Sequence, residues 1–139
     1  MSTEQFILAA PPDEPRRLEL WLQHAAGFTM IQNVREYARA EIDPELDEVA
    51  REAARRSIDD TLYGLMRVID QIDVPLRGNE LELTVHVVAR LSRHTDSGEE
   101  VAAELDLNDG DGACMGFWLW VDGDFGEDPV VTHQPPAGP

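Results

Sequence analysis

The chain of 139 residues contains no lysine, and its eleven basic side chains are all arginines. The last of them is Arg93, so residues 94–139 carry eleven Asp or Glu side chains and no arginine. The formal net charge is −17. Nucleic acid phosphates and anionic membrane surfaces both need a cationic face to bind, so the composition predicts neither kind of partner.

Cysteine is also scarce, and long apolar runs are missing. The single Cys114 cannot form an internal disulfide, which is typical of a reducing compartment. The first residues lack the basic region of a signal peptide, and no apolar run approaches the roughly 20 residues of a membrane helix. These absences predict a cytoplasmic location.

The acidity itself has two interpretations that the sequence leaves open. Arginine without lysine is what a GC-rich genome produces, and an acidic excess is common among proteins of a salty cytoplasm. Alternatively, the charge serves binding, because an acidic field steers a basic partner toward the protein.

Two helices are predicted in the first half of the chain. Residues 15–40 carry apolar side chains at three- and four-residue steps, with Pro15 at a position that suits the first helical turn. A second helix is predicted over 44–73, because Asp43 can accept a hydrogen bond at the helix start and Pro44 suits the first turn.

The apolar period changes from helical to alternating near residue 80. Strands are predicted over 80–92, 99–107 and 113–121, with turn sequences between them. The order predicts an α+β fold in which the two helices pack on one face of a small antiparallel sheet. We expect a single domain over 1–126 and a flexible, acidic and proline-rich tail over 127–139.

The third predicted strand carries the main candidate binding residues. A strand at 113–121 places Trp118 and Trp120 on the same face of the sheet. Their expected neighbours include Glu82, Glu104 and His86. Tryptophans are frequent at protein interfaces and attract cations, so this set predicts a binding patch. The alternative is a central strand, covered on both faces by the helices and by the tail or a second copy.

No pattern for catalysis or for a cofactor is present, and none is predicted. The four histidines have no metal-ligand spacing, and Cys114 is interpreted as a small apolar residue. The acidic loop at 106–111 lacks the glycine and glutamate positions of a calcium loop. A nine-residue strand would separate it from the acidic loop at 122–128 by about 30 Å, so no shared metal site is predicted.

Three functional hypotheses follow. The first is an acidic module that covers a basic protein, as inhibitors and immunity proteins do. The second is a ligand-binding domain or enzyme with a pocket between the second helix and the sheet. The third is a homodimeric structural protein, in which the partner is a second copy. Residues that could line the pocket of the second hypothesis are Tyr63, Arg67, Asp70, His86 and Trp118.

Overall fold

A computed structural model describes residues 5–133 and confirms the α+β class. A π-helical turn, Ile31–Arg35, joins the first two helices, and a 3-10 turn, Leu107–Asp109, follows the fifth strand. None of the described helices is both long and apolar enough to cross a membrane. The helices are α1 Pro15–Met30, α2 Glu36–Ala40, α3 Glu48–Ile69 and α4 Ala113–Val121. The strands are β1 Gln5–Leu8, β2 Leu76–Gly78, β3 Leu81–Leu83, β4 Val88–Thr95, β5 Gly98–Asp106 and β6 Val130–His133.

The first predicted helix, 15–40, corresponds to the continuous run of α1, the π turn and α2. It begins as the sequence indicates, with Pro15 at the first position. The Glu14 carboxylate accepts backbone hydrogen bonds from Arg16 at 3.0 Å and Arg17 at 2.8 Å. These two bonds lower the pKa of Glu14. The helix start is therefore fixed by residues that lie next to each other in the sequence.

Arg35 ends the π turn and links it to α3. Its Nε lies 2.7 Å from Oδ1 of Asp59, and its Nη2 lies 3.1 Å from Oδ2. The Arg35 side chain is only 12% exposed, so this two-bond ion pair is shielded from water. It fixes the end of the turn against the middle of α3.

The second helix is shorter than the predicted 44–73. The Asp47 carboxylate accepts the backbone N–H three residues further on, at 2.8 Å, and so caps the start of α3. Asp43 instead accepts from the backbone N–H of Glu45 at 2.9 Å and stabilises a turn before the helix. At the other end, Gln71 takes a positive φ of 55° and stops the helical run.

In the described part of the chain, the strands form three separate two-stranded antiparallel pairs instead of one sheet. β2 pairs with β3, β4 with β5, and β1 with β6. The predicted strand 80–92 is divided between β3 and β4 by residues 84–87, which belong to neither strand. The division follows from β5, which ends at Asp106, where the carboxylate accepts the backbone N–H of Asn108 and starts the 3-10 turn. Residues 84–86 therefore have no opposing strand residue in the β4–β5 pair.

The prediction of a strand over 113–121 was wrong, since these residues form α4. All nine side chains are apolar apart from one glycine, so an alternating pattern and a helical pattern are both present. The helical pattern decides the structure, because the buried residues recur at three- and four-residue steps. They are Ala113, Gly116, Phe117 and Trp120.

Part of the predicted tail belongs to the fold. Residues 127–133 include β6, which pairs in antiparallel register with β1. Just before β6, Pro129 is fully buried and its carbonyl accepts the backbone N–H of Ala9 at 2.8 Å. Residues 134–139, the remainder of the predicted tail, lie outside the described residues.

The core lies between α1, α3 and α4 and the start of the 3-10 turn. Gln23 is buried among these apolar side chains, and both ends of its amide are bonded. Its Oε1 accepts from the backbone N–H of Asp111 at 2.7 Å, and its Nε2 donates to the carbonyl of Gly112 at 3.1 Å. These bonds hold the loop before α4 against α1. The larger core residues are Trp21, Leu22, Ile31, Leu62, Met66, Ile69, Leu105, Leu107, Phe117 and Trp120.

Candidate protein-binding surface

The start of α4 is fixed by a carboxylate from the end of α3. Asp70 accepts the backbone N–H of Ala113 at 2.6 Å and that of Cys114 at 2.9 Å. Gly112, just before the helix, has a φ of 107°, which glycine adopts at little cost. A negative charge at a helix N-terminus also interacts favourably with the helix dipole. Asp70 therefore positions α4 through bonds that join two distant parts of the chain.

Trp120 is held in a slot between two glycines. A Cβ atom added at Gly27 of α1 would lie 2.2 Å from its ring, and one added at Gly116 would lie 2.5 Å from it. The ring is 2% exposed, and its Nε1 donates to Nδ1 of His24 at 3.0 Å. Both glycines are thus required by the close approach of one indole.

Trp118, in contrast, stands in solvent on the opposite side of α4. Its side chain is 58% exposed. Its ring lies 5.4 Å from the ring of Tyr63 on α3 and 5.3 Å from that of Phe117. Such aromatic contacts fix the orientation of the indole without covering it. Trp118 is therefore both exposed and held in place.

The two tryptophans do not share a face, which corrects the expected patch. Residues two apart on a strand lie on the same side, but on a helix they are about 200° apart. Trp120 consequently belongs to the core and Trp118 to the surface. Only Trp118 can contact a partner without unfolding of the core.

We call Met115, Trp118, Leu119 and Asp122 the α4 outer face. They recur at three- and four-residue steps and so lie in one stripe along the helix. Met115 is 74% exposed and Leu119 is 45% exposed. An exposed stripe of two large apolar side chains and a tryptophan is typical of a protein contact surface.

The C-terminal end of α4 carries negative charge where a helix favours positive charge. Asp122 is the C-terminal cap, Asp124 follows two residues later, and no basic side chain lies in the last turn. The dipole places partial negative charge at this end, so each carboxylate here is unfavourable, typically by about 0.3–1 kcal/mol. A cation that approached this end of the helix would relieve the repulsion.

The other three predicted site residues lie away from α4 in the sequence and have partners of their own. Glu82 lies opposite Arg77 in the β2–β3 pair, with its Oε2 3.3 Å from the arginine Nε. Glu104 lies opposite Arg90 in the β4–β5 pair, at 2.6 Å. Both were expected beside the tryptophans because residues 113–121 were predicted to form a strand. Since these residues form a helix, that expectation no longer has a basis.

His86 is the centre of a hydrogen-bond network. Its Nδ1 lies 2.6 Å from Oδ2 of Asp106, and its Nε2 lies 2.8 Å from the hydroxyl of Thr84 and 3.3 Å from Nε2 of Gln71. A carboxylate, an imidazole and a hydroxyl occur in the same order in hydrolase triads, which also need donors for an oxyanion. The network ties segment 84–87 to the ends of α3 and β5.

Cys114 is not set up as a nucleophile. Partial burial, followed by a hydrogen bond with Asp70, raises the pKa of its thiol. The thiol also raises the pKa of Tyr63 through a hydrogen bond. Because the thiolate is the reactive form of cysteine, the raised pKa favours the unreactive thiol.

One of the five candidate pocket residues lines a groove at the C-terminal end of α3. A groove of about 420 Å³ lies between the C-terminal end of α3 and the β2–β3 pair, and we call it the hairpin groove. Arg67 lines it, but Tyr63, Asp70, His86 and Trp118 do not. The convergence that the ligand-pocket hypothesis requires is therefore missing from this groove.

Because residues 113–121 form a helix, the two acidic loops at its ends are separated by less than a strand would separate them. The acidic loops at 106–111 and 122–128 are joined through α4, whose nine residues rise only about 14 Å. The predicted separation of about 30 Å assumed a strand and was too large. Within residues 5–133, no three His, Cys, Asp or Glu side chains are grouped as a metal site would require.

Comparisons of the chain with models of protein families, with curated proteins and with solved structures found no match. No relative therefore supplies a ligand or a residue role by analogy. The α4 outer face combines the oriented Trp118 with Asp122, which lies at a helix end whose last turn holds no basic side chain.

Proposed function

We propose that this chain is an acidic protein-binding module that docks a basic protein on the α4 outer face. The observation that carries the proposal is Trp118, which is 58% exposed yet packed against Tyr63 and Phe117. Ordering a side chain on binding costs free energy, and a tryptophan that is already oriented avoids much of this cost. Trp118 is thus suited to act as the central anchor of an interface.

The charge distribution favours a basic partner. Nine of the eleven arginines make ion pairs in the described part of the chain. Little free positive charge is left to attract phosphates, while the net charge remains −17. Asp122 and Asp124 at the end of α4 add an unfavourable local charge that a cation would relieve.

The partner that fits is a protein with an apolar patch beside arginine or lysine side chains. The apolar patch would cover Trp118 and Leu119, and a basic side chain would reach Asp122. Small acidic inhibitors and immunity proteins act in this way, by covering the basic surface of another protein. Nucleic acid and membranes are not expected to be partners, because both carry the same sign of charge as this chain.

The test is capture of a partner from an extract of the native host, followed by binding measurements with the purified partner. Trp118→Ser removes the anchor, and Tyr37→Ser is the matched control, because Tyr37 is an exposed aromatic residue on α2. We expect one basic protein to bind at low salt and to elute at high salt. Trp118→Ser should weaken its binding by about 2 kcal/mol or more, and the control should not.

Two results would contradict the proposal. One is that no basic protein is retained at low salt by a correctly folded chain. The other is that Trp118→Ser and Tyr37→Ser bind the captured protein equally well, which would place the contact elsewhere. Circular dichroism of each variant separates a lost contact from a lost fold.

A further inference from the structure

A second apolar surface lies at the C-terminal end of α3 and on the β2–β3 pair. Seven large apolar side chains between residues 68 and 85 are exposed, from 43% for Val68 to 83% for Val74. So dense a run of exposed apolar residues marks a contact surface. We call these residues the hairpin face: Val68, Ile72, Val74, Leu76, Leu81, Leu83 and Val85.

The charges around the hairpin groove, which lies within this face, cancel one another. Arg67 pairs with Asp73 at 2.8 Å, and Arg77 pairs with Glu82 at 3.3 Å. These four are the charged residues that line the groove, so its lining has no net charge. Glu80, at the turn between β2 and β3, adds one negative charge at the edge of the hairpin face. In a chain of net charge −17, the groove is still a part of the surface that another acidic molecule can approach with little repulsion.

The backbone here also has free hydrogen-bonding capacity. Within residues 5–133, β3 pairs with β2 on one side and with no strand on the other, and the two strands have three residues each. Beyond β3, residues 84–87 belong to neither hairpin. A two-stranded pair of this kind is marginally stable alone, and a further strand on its open edge would stabilise it.

We propose that the hairpin face binds a second copy of this chain in a symmetric dimer. A two-fold axis would place the same neutral, apolar surface on both sides and set the free edges of the two β3 strands beside each other. A basic protein would gain little here, because the arginines and carboxylates of the groove already neutralise one another. The remaining acidic surface of each copy repels the other, so we expect dimerisation to strengthen with added salt.

The experiment is analytical ultracentrifugation of the full chain at low and high salt. The wild type should sediment as a dimer, with twice the 15.5 kDa mass of the chain, and dissociate less at high salt. Leu76→Asp places a charge in the centre of the proposed interface and should raise the dissociation constant about 100-fold or more. Val101→Asp is the control, since Val101 is an exposed apolar strand residue on β5 and should not affect the dimer.

Three results would overturn the proposal. The first is a wild type that stays monomeric at both salt concentrations, even at high protein concentration. The second is equal weakening by Leu76→Asp and Val101→Asp. The third is a dimer that persists in Leu76→Asp. If Leu76→Asp does not fold, the milder variant Leu81→Ser takes its place, and a dimer that persists in it counts in the same way. The opposite salt dependence separates this contact from the proposed basic partner on the α4 outer face.

Discussion

The indole Nε1 of Trp120 donates a 3.0 Å hydrogen bond to Nδ1 of His24, and this bond joins α4 to α1. The acceptor nitrogen must be unprotonated, so the bond requires the neutral imidazole. Burial lowers the pKa of His24, and the nearby charges of Asp124 and Asp111 oppose the shift only in part. The folded protein thus resists protonation of a histidine that the unfolded chain protonates freely.

Stability should therefore depend on pH through His24. Because the pKa is lower in the folded state, the unfolded chain binds more protons as the pH falls below about 6.5. The contribution of His24 to stability is complete above that pH. It is lost as the pH falls toward the pKa that His24 has in the folded state. His24→Asn keeps an acceptor near Trp120 but does not titrate. The free energy of unfolding of the wild type, minus that of His24→Asn, should decrease from pH 8 to pH 5.

Urea denaturation of both proteins across this pH range provides the measurement. The carboxylates titrate in the wild type and in the variant alike, so their contribution cancels in the difference. A difference that stays constant with pH would show that His24 has the same pKa in the folded and unfolded states.

Gly27 should be required for stability in spite of its position within a helix. Alanine normally stabilises a helix by about 1 kcal/mol relative to glycine, but a Cβ at Gly27 would overlap the Trp120 ring. We expect Gly27→Ala to reduce the free energy of unfolding by about 1–3 kcal/mol. Gly64→Ala on α3 is the control, since its Cβ meets no atom within 4 Å, and it should stabilise the protein by about 0.5–1 kcal/mol. Thermal denaturation compares the two variants. If Gly27→Ala and Gly64→Ala changed the melting temperature equally, the close approach of the Trp120 ring to Gly27 would be contradicted.

Asp70 should contribute more than an ordinary surface carboxylate. Asp70→Ala leaves the first two backbone N–H groups of α4 without their acceptor, and we expect a loss of about 1–2 kcal/mol. Asp73→Ala removes an exposed ion pair with Arg67 and should cost less than about 0.5 kcal/mol. Denaturation with guanidinium compares the two. If both variants lose the same stability, the capping bonds contribute little.

Trp118 should dominate the accessible tryptophan fluorescence. The other two tryptophans, Trp21 and Trp120, are each 2% exposed. Trp118→Phe should therefore shift the emission to shorter wavelength and remove most of the quenching by acrylamide, which is uncharged and not repelled by the acidic surface. A variant that is quenched as strongly as the wild type would show that Trp118 is not the exposed indole.

The first helix was predictable because its determinants are local. Glu14 and Pro15 fix its start within one turn, and the apolar period continues to residue 40. The structure of 113–121 was not predictable in this way. Its nine residues fit either period, and the carboxylate that starts the helix, Asp70, lies 43 residues earlier in the sequence. A long-range bond of this kind leaves no local pattern.

The same ambiguity affected the candidate site. Tryptophans are recognisable as binding residues from their chemistry, but whether Trp118 and Trp120 share a face depends on the period of the element that carries them. One available signal was the set Ala113, Gly116, Phe117 and Trp120, whose spacing matches one helix face. Gly27 was a second signal, because a glycine within an otherwise regular helix often marks the close approach of another group.

The pairing of β1 with β6 has a consequence for how the chain can be rearranged. Gln5 and His133 lie opposite each other in that pair, so the described chain returns to its starting point. A short linker between these positions would close the backbone into a ring, and new termini could be opened at the exposed turn between β4 and β5. Any domain attached before Gln5 would likewise leave the fold next to one attached after His133.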